Sequence, residues 1–170
     1  MKPHQSNSTQ LNPWVVLVES TLENEKSPYF HLKVPNYVYI LAISDQGLVP
    51  LVQQYRIPLR RNSIELPAGL VEDNQSPRIA AISELREETG ISSFGSIIEL
   101  PPMTLDSGRI ENTSFGFLFL GVKAPINTDS AELDTIWVST AELETLAISG
   151  KIDHMGQIAL ILWASKMGYF

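Results

Sequence analysis

The chain has no cysteine among its 170 residues. Disulfides, thiolate nucleophiles and zinc–thiolate centres are therefore excluded, and a reducing, cytoplasmic home is expected. Long apolar runs are missing as well. The longest, Ile158 to Ala164, falls far short of the ~20 residues that cross a bilayer, so no membrane role is expected. Histidine is scarce, and His4, His31 and His154 stand too far apart to suggest a ligand set; they read as structural or surface residues. Positive charge is outnumbered, 12 Lys and Arg against 19 Asp and Glu, a net charge of −7. That balance argues against a general nucleic-acid binder. Residues 1–12 lack the apolar core of a secretion signal and are expected to lie loose in solvent.

Hydrophobic residues make up 44% of the chain, and with a mean hydropathy of +0.02 it is expected to fold as one domain over 13–170. The most informative stretch is 64–91. Within it Glu84, Glu87 and Glu88 stand at helical spacing i, i+3, i+4, which places three carboxylates on one stripe. Like charges so placed repel, and a purely structural helix gains nothing from them. Hard divalent cations, which take oxygen ligands and sit against phosphates, do gain. Ser76-Pro77 marks the start of this helix and Gly90 its left-handed end. Ile79, Ile82 and Leu85 predict its buried stripe, with the carboxylates turned away from the core and Ala80 and Ala81 near the acidic side. Pro67-Ala68-Gly69 is a loop able to approach that face.

Elsewhere, strands are predicted at Trp14–Glu19, Tyr29–Val34, Ser63–Leu66, Ile97–Leu100, Phe115–Val122 and Thr135–Val138. Tyr37–Ile43 and Leu48–Gln54, joined through Gly47, predict a hairpin. Arg56–Asn62 reads as a basic loop. Ser139 to Glu142 is a capping box for a helix to about Ala147, and a last helix covers Asp153–Lys166 with Ile158, Leu162 and Trp163 buried. The pattern predicts an α/β (α+β) fold, a mixed sheet between helices, with N-terminal strands over 13–34 and a core over 35–170.

Gly69, Glu84, Leu85, Glu87, Glu88, Gly90 and Ile91 resemble the box of the Nudix hydrolases. Leu51–Pro58, Glu65–Gly69 and Glu142–Ile152 are similar to the ADP-ribose pyrophosphatase branch, and the likeness covers about residues 35–165. Two positions depart: Gln75 stands where the family has glutamate and Ser83 where it has arginine. Both are neutral, so neither strands an unpaired charge, as a joint loss of a pair requires. The resemblance implies an α/β/α sandwich and metal-dependent cleavage of the pyrophosphate in a nucleoside diphosphate derivative, ADP-ribose or a related nucleotide sugar first. It implies Mg²⁺ or Mn²⁺ on Glu84, Glu87, Glu88 and the Ala68 carbonyl, and a homodimer joined through N-terminal strands such as Trp14–Glu19.

Glu111 sits where relatives carry a loop glutamate and is the expected base, with Asp106 behind it. Arg56, in its QYR setting, is the expected phosphate ligand. Arg109 and Glu65 are further substrate candidates, and Arg60 and Arg61 remain open, since each could equally balance neighbouring acids. Tyr37, Tyr39, Trp14 and Phe30 could stack on a base, but aromatics in strands are usually core, and each is read so. Two competing readings stand beside the hydrolase. The departures at Gln75 and Ser83 allow a Nudix-fold module that binds a nucleotide sugar without turning it over. An acidic interaction domain would bind neither metal nor nucleotide.

Overall fold

The structure is a computed structural model that describes residues 3–23, 25–124 and 133–170. The chain opens with β1 (Pro3–Asn12), β2 (Val15–Leu22) and β3 (Tyr29–Lys33). It continues through β4 (Tyr37–Ser44), β5 (Leu48–Arg56), β6 (Arg61–Glu65) and β7 (Ala68–Leu70) to helix α1 (Pro77–Thr89). Next come β8 (Ser96–Glu99), β9 (Ile110–Glu111), β10 (Ser114–Val122) and β11 (Asp134–Ser139), and then α2 (Thr140–Ile148) and α3 (Met155–Lys166). Among the described residues three sheets result, ordered β1-β2-β3-β9, β7-β4-β10-β8 and β11-β5-β6.

The central sheet is mixed: β4 runs parallel to β10 and antiparallel to β7. It is buried on both faces, which is why β4 reads as a near-continuous apolar run. Val38, Ile40 and Ala42 pack with Ala80, Ala81 and Leu85 of α1. The alternate residues Tyr39, Leu41 and Ile43 pack with Leu143 of α2, Leu160 and Ile161 of α3, and Val49 and Leu51 of β5. The mixed sheet between helices is thus the one the sequence predicts.

Five details correct that reading. Pro3–Asn12 is not loose but pairs antiparallel with β2; its run of Ser, Asn, Thr and Gln has no apolar alternation to signal a strand, and the pairing comes from its neighbour. β4 and β5 do not form a hairpin, because β4 already has β7 and β10 on its two edges, so the turn at Gly47 hands the chain to another sheet. In α1 the buried positions are Ala80, Ala81, Leu85, Glu88 and Thr89, while Ile79 is exposed. Small residues let the helix lie close on the sheet, and they outrank the bulkier stripe. In α3, Leu162 is exposed, and Gly156, Gln157, Leu160, Ile161 and Ala164 are buried. The basic loop is also shorter than expected, since Arg61 and Asn62 already belong to β6.

Candidate active site

Between β6 and β7 the chain leaves one sheet and joins another, and the candidate site is assembled around this crossing. Ala68, at the start of β7, points its N–H at Oε2 of Glu88, 2.9 Å away. Glu88 is buried, only 8% exposed, on the sheet side of α1. Burial, assisted by the charge of Glu84 and opposed by the Ala68 N–H, pushes its carboxyl up to about 7. The next residue, Gly69, leaves room for a neighbour: a Cβ there would land on the Glu84 carboxylate and force that flexible end aside. Ser76 caps α1 by accepting from the Ile79 N–H at 3.3 Å, and Gly90 ends it at φ +74°.

Helical geometry distributes the three glutamates. Glu84 lies mid-stripe, with Glu88 turned to the buried edge and Glu87 to the open one. Glu84 and Glu87 line an open cleft of about 1220 Å³, with Gly69 and the loop 70–75 on one side and Trp14, Val16, Lys33 and Val34 of the N-terminal sheet on another. Gln75 and Ser83, the two departures, line the same cleft. Among the described residues, no three acidic or histidine side chains converge tightly enough to form a ready-made metal site. The donor set still fits a hard cation in chemistry: it is all oxygen, with Glu84 and Glu87 on the cleft wall and, behind them, a carboxyl that burial and then the charge of Glu84 raise.

Arg56, at the end of β5, does not stand alone. Its Nε and Nη2 donate to the two oxygens of Glu65 at 2.8 and 2.6 Å, a bidentate pair across the β5–β6 hairpin. Burial is the strongest single influence and would raise the Glu65 carboxyl, but the bonds and charge of Arg56, with Ser63 and His154 adding to them, together hold it below the usual range. The Arg56 guanidinium is correspondingly raised. Tyr37 lies beside the pair and near Glu88, and burial raises its phenol.

Glu111 is held elsewhere. It accepts from His31 at 2.9 Å and lies 3.3 Å from Lys33, both on β3, and these partners keep its carboxyl below the ordinary value. Asp106 accepts from the Gly108 N–H within its own loop, and Arg109 lies over the Tyr29 ring at 5.0 Å. Arg61 pairs with Asp153, and Arg60 is exposed at φ +54°. Of the aromatics, Tyr39 is core, whereas Trp14 and Phe30, read as core, are 61% and 46% exposed. Trp14 sits in the turn between β1 and β2, and among the described residues no helix covers Phe30 on β3. Sequence reasoning missed Lys33, His31 and Gln157, whose partners lie about 80 to 90 residues away and leave no local signal.

A buried glutamate clasped by a glycine-bearing crossover strand, on a helix laid over a mixed sheet, defines an α+β protein with a carboxylate cleft. The chain belongs to the NUDIX domain family, whose model matches residues 33–157. It is similar to the ADP-ribose pyrophosphatase of Mycobacterium tuberculosis, 31% identical over 131 residues, covering 74% of this chain and 62% of that protein. It is also similar to the ADP-ribose pyrophosphatase of Bacillus subtilis, 42% identical over 62 residues, 36% of this chain and 34% of that protein. The chain thus spans less than two thirds of the length of either relative. A crystal structure of an ADP compounds hydrolase superposes with a TM-score of 0.78 at 14% identity, covering 99% of this chain and 96% of that one, a likeness of fold.

Proposed function

We propose that the chain hydrolyses the pyrophosphate bond of a nucleoside diphosphate derivative, ADP-ribose or a related nucleotide sugar first. The products are a nucleoside monophosphate and a sugar phosphate, AMP and ribose 5-phosphate in the case of ADP-ribose. The observation that carries this reading is the buried Glu88 carboxylate, held by the Ala68 N–H next to Glu84, which itself lines the cleft. Glu84, Glu87 and Glu88, with the Ala68 carbonyl, would hold Mg²⁺ or Mn²⁺. When bound, the cation supplies charge neutralisation at the diphosphate and lowers the pKa of an attacking water.

The other groups are assigned by their surroundings. The Glu65 clamp takes Nε and Nη2 of Arg56, and the guanidinium, with Tyr37 also beside it, would offer its Nη1 edge to a phosphate oxygen. Glu65 fixes the orientation of Arg56. Trp14, exposed at the cleft, offers a flat face to a base. Arg109 is a substrate contact from the 105–111 loop. Glu111, whose backbone is paired in β9, takes a proton from the attacking water only once its side chain has let go of His31 and Lys33, because in that clasp it is a poor base. The working assembly is a homodimer. No described helix is long and apolar enough to cross a membrane.

The test is product release from a panel of nucleoside diphosphate derivatives with Mg²⁺ or Mn²⁺, wild type beside Glu88→Gln. Turnover of one class, lost in the variant, is the expected result. Absence of turnover on every member, with ligand binding intact, would replace the hydrolase by a binding module.

A further inference from the structure

The crossing from β6 to β7 leaves a backbone problem. The ladder between β5 and β6 ends at Val52 and Glu65, and β7 starts only at Ala68. Pro67 has no N–H, and its carbonyl accepts from Ile40 at 2.9 Å. The Leu66 N–H, in a residue with no exposed surface, has no strand to donate to. Gln157 of α3 solves this: its Oε1 accepts from Leu66 N at 2.8 Å. The other end of the same amide, Nε2, lies 3.5 Å from the Leu66 carbonyl and 3.5 Å from Oε2 of Glu65. That carboxylate oxygen is the one that receives Arg56 Nη2.

Gln157 is itself fully buried, in a helix whose other inward positions are Leu160, Ile161 and Ala164. An amide at such a place is costly unless its groups are used. The helix is pressed close at this point, since a Cβ on the preceding Gly156 would come within 2.6 Å of the Tyr39 ring. The amide therefore has little room to move.

We propose that Gln157 is a positioning residue: it grips the Glu65–Leu66 joint from behind and so sets the orientation of Arg56 and the spacing between Arg56 and the Ala68–Glu88 clasp. Two halves of the site, one on each sheet, are thereby held in register by one side chain from a helix that does not line the cleft. The proposal rests on the reading of that cleft as a diphosphate site.

The decisive variant is Gln157→Glu. It keeps the shape and still accepts from Leu66, but ionised it sets a like charge against Glu65 and protonated it has one hydrogen to give, so in neither form can it donate to both Glu65 and the Leu66 carbonyl. The expected result is a KM for ADP-ribose with Mg²⁺ about tenfold higher at nearly unchanged kcat, because grip and not chemistry is disturbed. In the Arg56→Ala background the same change should add nothing, since the two act through one contact. An unchanged KM, or an effect that adds in full to Arg56→Ala, would overturn the proposal. If Gln157→Glu does not fold, Gln157→Leu takes its place in the same cycle. A readout independent of turnover is the Arg56 Nε–H resonance at pH 8. Slow exchange in the wild type and loss to water exchange in the variant are expected; an identical resonance in both sinks the idea. Should the wild type turn over nothing, the functional reading falls, and this resonance still decides the role of Gln157.

Discussion

Glu88 concentrates the chemistry of the molecule in one side chain, and its titration makes that measurable. The carboxyl has a reference pKa of 4.5 and rises to about 7 when folded. Between those values the folded chain keeps a proton that the unfolded chain has released, so this group's contribution to stability is greatest below pH 4.5 and is lost as pH rises through 7. Removing the ionisation should reverse the loss. In chelator, Glu88→Gln is expected to be more stable than wild type at pH 8 by up to about 3 kcal/mol, at 1.36 kcal/mol per pKa unit, and nearly equal to it near pH 4.5. Urea melts at the two pH values test this, and a variant less stable at pH 8 would refute the burial argument. With saturating Mn²⁺ the order should invert, because the wild type alone gains the full binding energy. Gly69 gives a second test at this scale. Gly69→Ala drives a methyl group into the flexible end of Glu84, so the fold should survive while cation affinity drops about tenfold or more, read by titration calorimetry. Unaltered affinity would mean that Glu84 is not a ligand.

At the scale of the element, α1 shows what a sequence can and cannot declare. Its ends were legible because caps are local chemistry: Ser76, Pro77 and Gly90 need only their immediate neighbours. Ser76→Ala should cost about 1 kcal/mol in denaturant unfolding and leave KM unchanged. Its buried face was not legible, because a helical period fixes which residues share a stripe but not which stripe the sheet receives. Ile79→Ala is therefore expected to change stability by no more than about 0.5 kcal/mol. Ala80→Leu, an overpacking of the face against Val38 and Ile40, should cost about 1–3 kcal/mol. The reverse ranking would restore the stripe that the sequence suggested. The same distinction explains the rest. The Gly69–Ile91 pattern, the strands β4 and β10 and the caps are local signals, and they were read. The missing hairpin, the strand β1 and the clasp of Glu111 by His31 and Lys33 depend on which edges and which distant side chains are available, and no local pattern records that.

For the whole molecule the N-terminal sheet sets the question of assembly. Cross-strand partners share a face, so the pairing of Leu17 with Leu32, Glu19 with Phe30 and Leu32 with Ile110 puts Leu17, Phe30, Leu32 and Ile110 on one side. Val16 and Lys33, which line the cleft, pair with each other and belong to the opposite side. Phe30 and Leu32 are 46% and 37% exposed on a sheet face that no described helix covers. Two neighbouring apolar side chains left in water, flanked by the half-buried Leu17 and Ile110, are costly to a monomer, and a second copy of the same face would cover them without blocking the cleft. Sedimentation at micromolar concentration should therefore show twice the 18.9 kDa chain mass. The double substitution of Phe30 and Leu32 by Asp should return it to one chain with far-ultraviolet dichroism unchanged, since both positions face outward and carry no core packing. A wild type that sediments as a single 18.9 kDa species at all concentrations would remove the dimer and leave the exposed face to another partner.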